Sequence, residues 1–225
     1  MDIKKETKAA LEHLQAGNLR EAENLFRNIL KVQPNNVSAL HFIGVIYYRL
    51  KKYDSAIKYI REALQFGPDY VDAYSNLGIV LQEAGRLDEA IRCYQKALEL
   101  NPDFDRAHYN LGTALKEKWQ IDDAISHYQT AIRLNPHTVE AYNNIGLALQ
   151  EQGKLEEAEE FYRHALKIKP DFALCFSNLL LLMNYESPHD AQAIFKEHLR
   201  FAKQIAEPLY PSILDHANDR SPLAG

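Results

Sequence analysis

The sequence predicts an all-α chain built from stacked antiparallel helix pairs, and three observations predict it. Prolines stand at 34, 68, 102, 136 and 170, a constant step of 34 residues. Small residues keep the same step, at Ala22, Ala56, Ala90, Ala124 and Ala158 and at Gly44, Gly78, Gly112 and Gly146. A large residue recurs at Phe26, Ile60, Tyr94, Tyr128 and Tyr162, and a further alanine at Ala63, Ala97, Ala131 and Ala165. A fixed period of this length marks a repeat array, in which no single unit buries its apolar face alone.

The elements follow in order within each unit, and 71–104 shows them best. Val71, Tyr74, Leu77, Gly78 and Leu81 make one helical stripe, helix A. Gly78 costs helix stability, so it needs a packing reason, and close approach of the partner helix is one. Gly85-Arg86 makes the turn. Leu87, Ala90, Ile91, Tyr94, Ala97 and Leu98 form the stripe of helix B. Pro102 ends it, because proline removes a helical donor and displaces the residue before it from helical geometry. Asp103 is then expected to cap the next helix A, as are Asp69 and Asp171 at equivalent places.

The expected boundaries are 3–36, 37–70, 71–104, 105–138 and 139–172 for five repeats, 173–206 for a divergent sixth with a linker helix, and 207–225 for an irregular tail. The first repeat is degenerate, with Glu6, Ala9 and Ala10 at stripe positions, and its Lys4, Lys5 and Lys8 suit a cap facing water. The sixth begins with Phe176, Asn178 and Leu179, but Leu180 takes the glycine place. Phe172, Leu174, Phe176 and Leu179 to Met183 are too apolar for a terminal helix with one neighbour. A sticky C-terminal face is therefore expected, open to self-association or to the docking of another domain.

Composition excludes several classes. A net charge of −5 argues against nucleic acid as a partner. The two cysteines, Cys93 and Cys175, fall in separate predicted helices and suggest no disulfide framework, so a reducing cytoplasm is expected. The start, Met1 to Glu6, lacks a signal-peptide core, and no apolar run is long enough to span a membrane. Phosphate-binding glycine loops, H-E-x-x-H and C-x-x-C are absent, and the nine histidines are scattered singly. No catalytic residue set, metal site or cofactor is therefore expected, and the chain is read as a non-enzyme.

These registers are the signature of the tetratricopeptide family, which the chain resembles from Ile3 to Phe172. The resemblance implies a right-handed α-solenoid superhelix with helix A lining its concave side. It also implies that the chain is a scaffold holding a protein or peptide there. On helix A the outward positions are 2, 5, 6, 9, 12 and 13 of each repeat. Position 6 gives Asn76, Asn110, Asn144 and Asn178, while Phe42 breaks the series in repeat two. An asparagine amide offers donors and an acceptor together and so matches an extended peptide backbone. Helices about 8–10 Å apart span roughly three extended residues, so one asparagine per repeat fits such a clamp. The alternative is that these asparagines support helix packing. Flanking groove candidates are Ser75, Tyr109, Asn143, Thr113, Gln82, Lys116 and Gln150. Cations there are scattered (Arg49, Arg106, Lys116), which fits no dedicated carboxylate clamp.

Two further features stand apart. Trp119 takes the turn place held by Gly85 and Gly153, either as a packing variant or as an exposed contact. The segment Phe176 to Tyr185, the Ser187-Pro188 break, the helix pattern Ala191 to Ala206 and the stretch His216 to Pro222 resemble the linker of bacterial proteins similar to protein O-linked N-acetylglucosamine transferase. That resemblance implies a substrate-presenting arm whose catalytic domain would begin where this chain stops. The family's catalytic and nucleotide-sugar residues map to nothing in the chain.

Overall fold

A computed structural model describes residues 2–185 and 191–208. Among these there are twelve α-helices and no strand. They pair as α1 Ile3–Gln15 with α2 Leu19–Val32, α3 Val37–Arg49 with α4 Tyr53–Phe66, α5 Val71–Glu83 with α6 Leu87–Leu100, and α7 Asp105–Glu117 with α8 Ile121–Leu134. Then come α9 Val139–Glu151, α10 Leu155–Ile168, α11 Ala173–Tyr185 and α12 Ala191–Phe201, the last running into a π-helical turn, Ala202–Ala206. The chain divides into two compact units, Met1–Ala141 and Tyr142–Gly225.

In the first unit each odd helix lies against its even partner, and α2, α4 and α6 each lie against the odd helix of the next repeat. The odd helices also touch one another, α3 with α5 and α5 with α7. In the second unit α11 packs on α10, and α12 on α11. This is an all-α helical repeat architecture. Its core is the recurring set read from the sequence: Phe26, Ile60, Tyr94, Tyr128 and Tyr162 are fully buried, as are the alanines from Ala22 to Ala158 in the same register.

Glycine places these large side chains. A methyl group on Gly78 would sit 2.4 Å from the Tyr94 ring, and one on Gly146 2.5 Å from Tyr162. At Gly112 the nearest Tyr128 atom would be 2.9 Å away, and at Gly44 the Ile60 Cγ1 2.4 Å. The large side chain of helix B lies against bare helix-A backbone. That contact offsets the roughly 0.5–1 kcal/mol that an interior glycine costs.

The prolines act through the residue before them. Gln33, Gly67, Asn101, Asn135 and Lys169 all leave helical geometry, with φ between −129° and −142° and ψ between 76° and 95°. This is the extended conformation that a following proline imposes. The aspartate caps do not form. The residue that caps α5 is Tyr70 and the one that caps α7 is Phe104, both extended and without a side-chain cap bond. Asp69, Asp103 and Asp171 stand one place too early for their helices. The Asp103 amide donates instead to Asn101 Oδ1, so the asparagine before proline organises the turn. True side-chain caps occur at Asp2 on α1 and Asn36 on α3.

Candidate functional site

The outward faces of α3, α5 and α7 lie side by side in the first unit, and the position-6 asparagines of α5 and α7, Asn76 and Asn110, sit half-buried. Each reaches back to the preceding odd helix. Asn76 Nδ2 lies 2.9 Å from His41 Nε2, and Asn110 Nδ2 donates to Ser75 Oγ at 3.5 Å. In the second unit Asn178 Nδ2 donates to Asn143 Oδ1 at 2.9 Å, and Asn143 Nδ2 to Asn144 Oδ1 at 3.5 Å. One amide N–H of Asn76, Asn110 and Asn178 thus ties position 6 to position 5 of the repeat before. A rung of this kind contributes about 1 kcal/mol. The second N–H and the oxygen of Asn76 and Asn110 are not used by these rungs. Packing support and peptide recognition are therefore compatible in the same side chain.

At position 5 two of the residues expected to be open contacts, Ser75 and Asn143, are buried. Ser75 and Asn143 are 1% and 2% exposed, so they serve as acceptors beneath the asparagines instead of open contacts. Their helices press together at this register, because position 5 faces the neighbouring repeat. His41 occupies the same place in repeat two and went unnoticed in the sequence because it lacks a matching residue type. It is buried between Phe42 and Tyr70, with ring centroids at 4.9 and 4.8 Å. Burial pulls its pKa down to about 4, so the ring is neutral and Nε2 accepts from Asn76. Its Nδ1 is buried without a partner.

Gln82, Gln150 and Thr113 have a second duty. Tyr94 and Tyr162 donate their hydroxyls to Gln82 and Gln150 at 3.0 Å, and Tyr128 to Thr113 at 3.3 Å. A buried tyrosine hydroxyl needs such a partner. The signal was present: Tyr94, Tyr128 and Tyr162 each have a polar helix-A residue 12 or 15 positions before them. Gln82 also donates to Glu117. Lys116 is half-buried in the last turn of α7. Arg49 donates to the Leu14 carbonyl at 2.7 Å, and Arg106 pairs with Asp72, so these cations are engaged within the fold.

A pocket of about 220 Å³ opens between α5 and α7. Ser75 and Ile79 form one wall, Arg106, Tyr109 and Asn110 the other, and Asp105, Asn135 and Thr138 close it. Three residues singled out from the sequence, Ser75, Tyr109 and Asn110, meet there. Among the described residues no cluster of three His, Cys, Asp or Glu side chains is arranged to hold a metal. Burial pushes the Cys93 and Cys175 thiols up to about 11 and about 12, far from reactive thiolates. No described helix is long and apolar enough to cross a membrane. Trp119 stands 80% exposed with φ +60°, the left-handed backbone that Gly85 and Gly153 adopt at the same turn. The stretch His216 to Pro222 lies outside the described residues.

Family models described as tetratricopeptide repeats match residues 7–71, 71–104, 93–126 and 139–172, and a TPR repeat model matches 115–153. No curated protein matches the sequence. Among solved structures, MamA is 27% identical, with 73% of this chain and 96% of that one covered and a TM-score of 0.65. YrrB, a TPR protein with an unusual peptide-binding site, is 24% identical over 77% of this chain and 89% of its own, at 0.63. PilF of Pseudomonas aeruginosa is 21% identical over 93% and 92%, at 0.79.

Proposed function

The chain belongs to the tetratricopeptide repeat family, and from that premise we propose that it is a non-catalytic scaffold. It holds an extended polypeptide along the outward faces of its odd helices. The observation that carries this is the recurrence of half-buried asparagines in one register, with the α5–α7 pocket opening beside Asn110. The unused N–H and oxygen of Asn76 and Asn110 pair with a peptide backbone, and the pocket takes a side chain. MamA and YrrB share the fold, and YrrB is a TPR protein with an unusual peptide-binding site, which supports a peptide as the kind of ligand here. The net charge of −5 favours a protein over a nucleic acid as partner. A cytoplasmic setting suits two free cysteines with raised pKa values.

The test is photo-crosslinking with a photoreactive residue at Ile79, in the pocket wall, or at Gln95, exposed on α6. Peptides selected on the whole chain from a random display library should crosslink at Ile79 and not at Gln95. The pair Asn76→Ala and Asn110→Ala should weaken those peptides about tenfold while circular dichroism stays helical. Equal crosslinking at both sites, or unchanged affinity in the folded double variant, rejects the proposal.

A narrower reading makes the array the substrate-recognition arm of a glycosyltransferase similar to protein O-linked N-acetylglucosamine transferase. Its support is the sequence likeness around Phe176 to Tyr185 and Ala191 to Ala206. The reading frame downstream of Gly225 tests it: a glycosyltransferase domain there supports it, and an unrelated sequence removes it.

A further inference from the structure

In a stacked helical array each helix pair is covered by its neighbours, and the outermost helix normally turns a polar face to water. α1 follows that rule, with Lys4, Lys5 and Lys8 exposed. α12 does not. It packs on α11 through its inner side: Phe201 meets Phe176 edge-on at 5.3 Å, Arg200 lies over the same ring at 5.3 Å, and Glu197 accepts from Arg163 at 3.1 Å. Its outer side is a continuous arc of exposed residues, Ala191, Gln192, Phe195, Lys196 and Leu199, with His198 at the edge, its Nε2 3.1 Å from Asn184 Nδ2 of α11. At the centre Phe195 is 63% and Leu199 55% exposed, one turn apart on the same stripe.

Charge specifies what covers this stripe. Lys196 flanks it within α12 and Lys203 in the π-helical turn that follows, and both are exposed. The one carboxylate of α12, Glu197, faces inward and is held by Arg163 and Arg200. From Ala191 to Lys203 the outer arc therefore carries positive charge and no negative charge, and the next exposed carboxylate, Glu207, stands one turn beyond Lys203. Two copies of it placed face to face would set lysine against lysine. Helices cover helices elsewhere in this unit, as α11 covers α10.

We propose that the outer face of α12 is a docking surface for an amphipathic helix of a partner protein, one with carboxylates beside its apolar stripe. The partner adds one more layer to the stack, with Phe195 and Leu199 seated between its apolar residues and Lys196 and Lys203 pairing with its acids. The surface uses none of the asparagines Asn76, Asn110, Asn144 and Asn178.

The test uses the full chain and two synthetic helical peptides that share a leucine stripe, one flanked by glutamates and one by lysines. The glutamate peptide should bind at least tenfold tighter, and Phe195→Gln with Leu199→Gln should abolish binding. Both side chains are more than half exposed, so the fold should survive, as circular dichroism will show. Lys196→Glu with Lys203→Glu should reverse the preference to the lysine peptide. A photoreactive residue at Phe195 identifies the occupant. Crosslinking to the glutamate peptide supports the proposal. Crosslinking to a second copy, to residues 209–225 of the same chain or to phosphatidylserine vesicles overturns it. So does equal affinity for the two peptides.

Discussion

The repeats at 71–104 and 105–138 share one backbone plan and differ in nearly every polar detail. Both lay a fully buried tyrosine on a bare glycine, Tyr94 on Gly78 and Tyr128 on Gly112. In the first, the hydroxyl finds Gln82 near the end of helix A; in the second it finds Thr113, one residue after the glycine. The asparagine rung ends on a histidine in one and on a serine in the other. The turn is glycine in one and tryptophan in the other, with φ +74° and +60°. Positions fixed by steric exclusion keep one residue type. Positions that must satisfy a hydrogen bond accept several, because any nearby donor or acceptor will do.

That contrast can be broken most sharply at the glycines. Gly78→Val or Gly112→Val should each destabilise by about 3 kcal/mol, since the ring above cannot leave without opening the core. Urea midpoints will measure it. If either repeat tolerates valine, steric exclusion is not what holds the register. Gly85→Ala, with φ +74° and no neighbour within 4 Å, should cost only about 1 kcal/mol.

The two rungs should separate in acid. His41 titrates at about 4 in the folded protein, below the usual value of 6.5, because burial disfavours its cation. Below pH 6.5 the unfolded chain takes up a proton that the folded chain refuses. Stability should thus fall as pH drops from 6.5 to 4, by up to about 3 kcal/mol, and stay constant above pH 7.5. His41→Ser, which copies the Ser75 rung, should flatten that part of the profile. An unchanged acid limb would assign the loss to other groups.

Smaller effects sharpen the tyrosine contrast. Tyr94→Phe and Tyr128→Phe should each cost about 1 kcal/mol, and Tyr94→Phe the more, as its bond is the shorter. Equal melting temperatures for wild type and both variants would show the hydroxyls to be idle. Trp119→Gly should stabilise by roughly 1 kcal/mol by relieving left-handed strain at an exposed site, a small upward shift in thermal melting. Destabilisation would mean that the indole packs in solution.

How much of this was readable in the sequence follows the same division. The helix pairs, the proline-driven ends and the close approach of the partner helix at the glycines came from single residues whose sterics admit few alternatives; that the approaching group is a tyrosine ring came from the structure. Asp103 was misplaced by one residue, because Asn101 already satisfies the turn and Phe104 takes the cap. The His41–Asn76 rung was hidden, because it joins residues 35 apart across two helices whose relative rotation no local pattern reports. Ser75 and Asn143 looked like groove residues for the same reason. The outer arc of α12 was legible only as an excess of apolar residues near the end; which of them stay open depends on how α12 lies on α11.

Trp119 is the chain's one tryptophan, and it stands in water on a turn. Its fluorescence will therefore resemble free indole before and after unfolding. A melt followed by that signal will show almost no transition while the tyrosine cores come apart. The same property makes it a quiet background against which anything settling on the 118–120 turn would announce itself as a blue shift.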